Sequence, residues 1–222
     1  MLPIIRFFLP TLLFGAGVVS AQTPPSHLPP VAPGYFNVSA STLINAPIDE
    51  VWQVLLDLPK YPEWNPFARL ASVLHLNKLP KLTEYGRKQV VTNALFIPID
   101  DQTPKEGGYM LITTQIPPIE GPIDANTPGN LLNTRISGEK ITHINTPEPY
   151  QAAWKFHPSA DIALSAERWS VLSVFEGQTY YETREVFDGL LAPLVESTQG
   201  DGLQKGFHAQ AKALKARLES MT

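Results

Sequence analysis

The chain has 222 residues, 17 basic against 21 acidic side chains and a formal charge of −4. This length suits one domain with appendages, and a 43% hydrophobic share is enough for a sizeable core. The slight acidity offers no electrostatic basis for nucleic-acid binding, and the absence of cysteine excludes both a disulfide framework and a thiol nucleophile.

Residues 1–21 read as a secretory signal. Arg6 supplies the charged start, and Phe7 to Val19 is an apolar run of 13 residues. A comfortable membrane span needs roughly 20 residues. Val19-Ser20-Ala21 puts small residues at the −3 and −1 positions of a cleavage after Ala21. The alternative is an uncleaved N-terminal anchor. Cleavage removes Arg6 and leaves 16 basic residues against 21 acidic ones, a charge of −5. A domain that follows the secretory route without disulfides must be held by its core. Asn37-Val38-Ser39 is an N-glycosylation sequon, so Asn37 is a candidate glycan site.

Residues 22–34 hold five prolines and read as a semi-extended linker unable to build a core. A strand is expected around Ala40, Thr42 and Ile44. Pro47 stands where a first helical residue is tolerated, since its missing N–H would be unpaired there. Asp49 and Glu50 suit the positive end of the helix dipole. Ile48, Val51, Trp52 and Leu55 mark one face at helical spacing, and Pro59 ends the helix. Tyr61-Pro-Glu-Trp-Asn-Pro66 reads as a tight aromatic turn.

Strands are then expected over 67–76 and 87–97, the latter paired as a hairpin with Tyr109–Ile116. Residues 117–130 carry four prolines and are expected to form a long loop. Further strands are expected over 134–145, 150–157, 167–175 and 179–187, the last two joined by a tight turn at Glu176-Gly-Gln178. A closing helix steps through Leu203, Phe207, Gln210/Ala211, Leu214, Leu218 and Met221. Lys205, His208, Lys212, Lys215 and Arg217 form its solvated side, and its basic end complements the dipole.

The anchors Ala46-Pro47, Glu50-Val51-Trp52, Leu55-x-Asp57 and Tyr61-Pro62-x-Trp64-Asn65-Pro66 resemble the START-like (SRPBCC) superfamily. This helix-grip group includes Bet v 1 allergens, START lipid-transfer domains and polyketide cyclase/dehydrase-like proteins. Phe187-Asp188-Gly189, closing the final hairpin, and the Thr146-Pro-Glu-Pro-Tyr150 turn with Trp154 resemble the polyketide cyclase-like branch. The resemblance runs from about Val38 to Leu218, with 93–130 longer than in compact members. It implies an α+β fold, a curved antiparallel β-sheet wrapped around a long C-terminal helix, with a cavity between them. The expected organisation is a signal peptide (1–21), a proline-rich linker (22–34) and a START-like domain (35–222).

No nucleophile elbow, P-loop or dinucleotide-binding glycine motif is present. The five histidines, 27, 75, 143, 157 and 208, never fall at His-x-x-x-His spacing, so neither a metal site nor a cofactor is expected. The family implies a hydrophobic small molecule as partner, with no nucleic acid and no membrane span after signal removal. Cyclase-like members imply a second possibility: proton transfer to and from a bound poly-carbonyl chain by a few polar groups. Candidates for such groups are Glu182, Arg184, Glu185, Arg168 and His143. If Phe187 points inward as in the family, Tyr181, Thr183 and Glu185 share its face, which favours Glu185 over Glu182 and Arg184. Alternation leaves open whether Arg168/Ser170/Leu172 or Trp169/Val171/Ser173 faces inward. The competing role for Glu185 and Arg168 is a cross-strand ion pair. Trp64, Trp154, Trp169, Tyr181, Phe187 and Phe207 are candidate ligand-lining residues, since apolar ligands are held mainly by aromatic and aliphatic walls.

Overall fold

A computed structural model describes residues 22–69, 90–95, 97, 99–157 and 161–220. The sheet has seven strands: β1 (Phe36–Ile44), β2 (Val90–Thr92), β3 (Tyr109–Gln115), β4 (Thr134–Asn145), β5 (Tyr150–Phe156), β6 (Ser165–Phe175) and β7 (Gln178–Asp188). Their spatial order is β1-β7-β6-β5-β4-β3-β2, and every neighbouring pair is antiparallel. The helices are α1 (Ile48–Leu56), the single turn α2 (Tyr61–Trp64) and the long α3 (Ala192–Glu219). Together they form the α+β helix-grip fold, a curved sheet with the long C-terminal helix held against it.

α1 starts one residue later than expected, with Pro47 as its N-cap, and stops at Leu56, before Pro59. Val51, Trp52 and Leu55 are buried as their spacing requires. Tyr61-Pro-Glu-Trp is helical in its own right, because Pro62 sits where a helix start does not need the missing N–H. Asn65 then closes the turn: its Oδ1 accepts hydrogen bonds from the Phe67 and Ala68 amides at 2.9 and 3.0 Å. In α3 the buried stripe is Leu203, Phe207, Gln210, Ala211, Leu214 and Leu218. α3 begins well before that stripe, with Pro193 in its first turn. Lys215 and Arg217 are not simply solvated: Lys215 donates to the Leu43 carbonyl at 2.6 Å, and Arg217 pairs with Glu63 at 2.8 Å.

Of the expected 87–97 strand, residues 90–95 and 97 are described. Among these residues, pairing with β3 covers Val90–Thr92, and Leu95 and Ile97 are 79% and 56% exposed. The 67–76 strand falls mostly outside the described residues; Ala68 makes a single bridge to Thr114. The 117–130 segment has no regular structure, but Arg69 secures it. This arginine is 1% exposed, and its Nη2 donates to the carbonyls of Asp124 and Thr127 at 2.7 and 2.8 Å.

The proline-rich segment is docked rather than free. Ser26 Oγ donates to Glu182 at 2.7 Å, and the His27 amide donates to the same carboxylate. Arg184 donates to the Pro29 carbonyl at 2.6 Å, and the Tyr35 amide to that of Phe187 at 2.8 Å. Residues 26–35 therefore strap the outer face of the sheet, which explains why Glu182 is buried there.

Candidate functional site

Between the sheet and α3 lies a cavity of about 250 Å³. Phe67, Ile112, Ile116, Trp154, Phe187 and Leu203 supply much of its apolar wall. Four ionisable side chains line it from the sheet: Arg135 and Glu139 from β4, Arg168 from β6 and Glu185 from β7, of which Arg135 is exposed. Strand register explains the convergence. Ile141, Trp154, Arg168, Glu185 and Val38 lie in one cross-strand row, so all five point to the same face. Glu139 belongs to the next row, opposite Phe156.

Arg168 is 6% exposed. Its guanidinium lies over the Phe207 ring at 4.1 Å and the Trp154 ring at 5.7 Å, a cation–π arrangement. Its Nε donates to Thr183 Oγ1 at 3.1 Å, and Thr183 in turn donates to the Trp169 carbonyl at 2.8 Å. Its Nη2 is buried without a hydrogen-bond partner among the described residues. Cross-strand pairing places Glu185 opposite Arg168. Yet among the described residues no ion pair within 4.0 Å joins Arg168 to either carboxylate. Turning onto Phe207 carries the guanidinium out of the simple cross-strand bridge.

Both carboxyls titrate far above the ordinary glutamate range. Burial pushes Glu139 up to about 8; the Glu185 charge adds to this, while a hydrogen bond with Ser137 and the Arg168 charge oppose it. Burial pushes Glu185 up to about 7 against the pull of Arg168. Near neutral pH, then, an apolar cavity holds the buried guanidinium of Arg168 and two carboxyls poised between acid and base forms.

The remaining expected site residues divide by face. Trp154 and Phe187 line the cavity, and Phe207 supports Arg168 from beneath. Trp64 and Tyr181 are buried outside the lining; Trp64 packs edge-on against Tyr61 at 4.7 Å, and the Tyr181 hydroxyl has no partner among the described residues. Trp169 points to the outer face, where it lines a separate recess of about 160 Å³ beneath Val31, Ala32 and Gly34. His143 accompanies it, with ring centroids 4.6 Å apart. A β-bulge between Ile141 and His143 reverses the alternation, so Ile141 faces inward and His143 outward. Glu182 and Arg184 lie on this outer face as well, held by the strap. Asn37 is exposed on the edge strand β1.

Glu139 was not among the sequence candidates. Its signal is its parity with Ile141, the apolar residue two places on that marks the inner face. Among the described residues no group of three or more metal-ligating side chains converges, and no helix is long and apolar enough to cross a membrane.

No protein-family model matches the sequence, and no functionally curated protein matches it. Solved structures match the fold across most of the chain. A hypothetical protein from Helicobacter pylori aligns over 90% of this chain and 99% of its own, with 11% identity and a TM-score of 0.54. The major latex-like protein 151 from Panax ginseng aligns over 82% and 96%, with 12% identity and a TM-score of 0.52. The KanY protein aligns over 84% and 99%, also with 12% identity and a TM-score of 0.52. The chain shares their fold, a curved antiparallel sheet gripping a long C-terminal helix.

Proposed function

We propose that this protein binds a hydrophobic small molecule in the cavity between the sheet and α3. The observation that carries the reading is the cavity itself: apolar walls with a few ionisable groups gathered on the sheet side. Among a lipid, sterol, quinone or polyketide, its volume of about 250 Å³ favours a compact ring or short chain. Sites for drug-sized ligands run from roughly 300 to 1,000 Å³. Trp154 in the wall supplies a reporter. Titration with compact apolar ligands should change tryptophan fluorescence and raise the melting temperature. A ligand panel that moves neither signal refutes the reading. The apolar leader and the exposed Asn37 support a secretory route. A mobility shift on endoglycosidase treatment of the protein made in a glycosylating host tests occupancy of Asn37.

A second reading, acid–base catalysis in the same cavity, is favoured by the pair Glu139 and Glu185, two carboxyls poised near neutral pH beside Arg168. General acid–base catalysis is most effective with groups of this kind. In a β-hydroxy carbonyl compound, Glu185 would accept the proton from the carbon between the two functions while Arg168 stabilises the enolate oxygen. Glu139 would then protonate the hydroxyl as its C–O bond breaks, releasing water and leaving a conjugated carbonyl. The transferred proton resides on Glu185 and returns to Glu139 through solvent. Glu185→Gln should abolish such a dehydration while ligand binding persists. Unchanged turnover in that variant removes Glu185 as the base.

A further inference from the structure

We propose that the cavity selects an amphiphile with a single anionic head, bound at Arg168, and that loading it takes up protons onto Glu139 and Glu185. The proposal rests on the reading of this cavity as a ligand site. It deepens that reading by naming the charge of the ligand and the protonation change that accompanies binding.

Three observations carry it. First, Arg168 is a permanent cation, 6% exposed, that lines the cavity and, among the described residues, has no ion pair and leaves its Nη2 unpartnered. A guanidinium with a free edge fits a carboxylate or enolate head, which would supply the missing acceptors. Second, the neighbouring carboxyls do not fill that role. Burial favours their neutral forms, and neutral carboxyls are O–H donors that support an anionic head rather than repel it. Third, the other charged residue of the lining, Arg135, is exposed on β4, where its Nη1 donates to the Leu132 and Thr134 carbonyls. It adds a second positive charge on the path an anion would follow.

The remaining elements around the cavity add no opposing charge. Among the described lining residues, α3 contributes Val195, Gln199 and Leu203, and β5 contributes Trp154 and Phe156. β3 contributes Ile112 and Thr114, and Val38 of β1 stands opposite Glu185. Burial holds the Tyr61 hydroxyl well above the ordinary phenol range against the pull of Arg168, so it carries no charge in this pH range. A cationic ligand would face Arg168 directly. A neutral one would leave the guanidinium edge without an acceptor of matching charge.

The coupling to protons follows from proximity. An anion at Arg168 discourages ionisation of Glu139 and Glu185, so the bound state holds more protons than the empty one. Affinity should therefore be highest below pH 7 and decline as the two carboxyls ionise.

The experiment compares octanoate, octanol and octylamine, which share one chain and differ in head charge, by calorimetric titration of the wild-type protein. At pH 6 octanoate should bind at least about tenfold more tightly than octanol, with octylamine weakest. Between pH 6 and pH 9 octanoate affinity should fall at least about tenfold. At pH 8, titration in two buffers of different ionisation enthalpy should show net uptake of about one proton or more. Equal binding of octanoate and octanol, or preference for octylamine, overturns the proposal and leaves the cavity reading standing. Selective octanoate binding without proton uptake overturns the part assigned to the two carboxyls. Silence of all three ligands overturns the cavity reading and this proposal with it. Arg168→Met, checked for native circular dichroism, should keep octanol binding and lose the preference for octanoate. A folded variant that retains the preference refutes the role of Arg168. Should that variant not fold, the wild-type head-group comparison still decides.

Discussion

Replacing Glu139 by Gln offers a direct measure of how the cavity treats charge. In the folded protein Glu139 titrates at about 8, against 4.5 for an unperturbed carboxyl. Below about pH 4.5 both folded and unfolded chains hold the proton, and the group adds no pH dependence. Between 4.5 and 8 the unfolded chain ionises while the folded one does not, so the native state binds more protons and stability falls as pH rises. At roughly 1.4 kcal/mol per unit, the full window corresponds to about 5 kcal/mol, of which some 3 kcal/mol has been lost by pH 7. Gln keeps the shape and has no proton to lose. Chemical denaturation of both proteins at pH 5 and pH 8 should show near-equal stability at the lower pH. At the higher pH Glu139→Gln should be more stable by roughly 2–4 kcal/mol. Parallel pH dependence of the two proteins would refute the claim that Glu139 is held in an apolar, protonating environment.

Other substitutions test the parts that shape the cavity and its surroundings. A Cβ at Gly206 of α3 would stand 2.2 Å from Cδ2 of Phe67, a buried ring that also lines the cavity. Gly206→Ala gains about 1 kcal/mol in helix propensity. Even so, it should destabilise the protein by about 1–3 kcal/mol in denaturant titrations, because the ring must shift within packed surroundings. Asn65→Ala removes the side-chain acceptor for two buried amides and should cost about 1–3 kcal/mol; a cost near zero would mean that other groups satisfy them. Ser26→Ala removes one of the donors that hold Glu182 and should lower stability by about 1 kcal/mol, with acrylamide quenching reporting whether Trp169 becomes more accessible.

Much of this architecture is written in local sequence pattern. Helical spacing at Val51, Trp52 and Leu55, and again from Leu203 to Leu218, marks buried stripes without reference to the rest of the chain. The strands from Thr134 to Asp188 and the turn at Glu176-Gly177, where both residues have positive φ, also follow from composition and turn chemistry. The inward direction of Glu185 follows from its parity with Phe187.

The site required tertiary information for three physical reasons. Alternation could not choose between the Arg168 and Trp169 faces, because both are buried: the cavity side by α3, and the outer side by the proline-rich strap. A bulge between Ile141 and His143 inverts parity within β4, turning His143 outward while Glu139 remains inside. Finally, Glu139 and Glu185 lie on strands separated by β5 and β6, so their shared environment beside Arg168 exists only once four strands are in register. Sequence pattern marks the strands, their acidic and basic side chains and the closing helix, and the family resemblance implies that the sheet grips that helix. Which of them meet, and in what protonation state, is decided by strand register and by what covers each face.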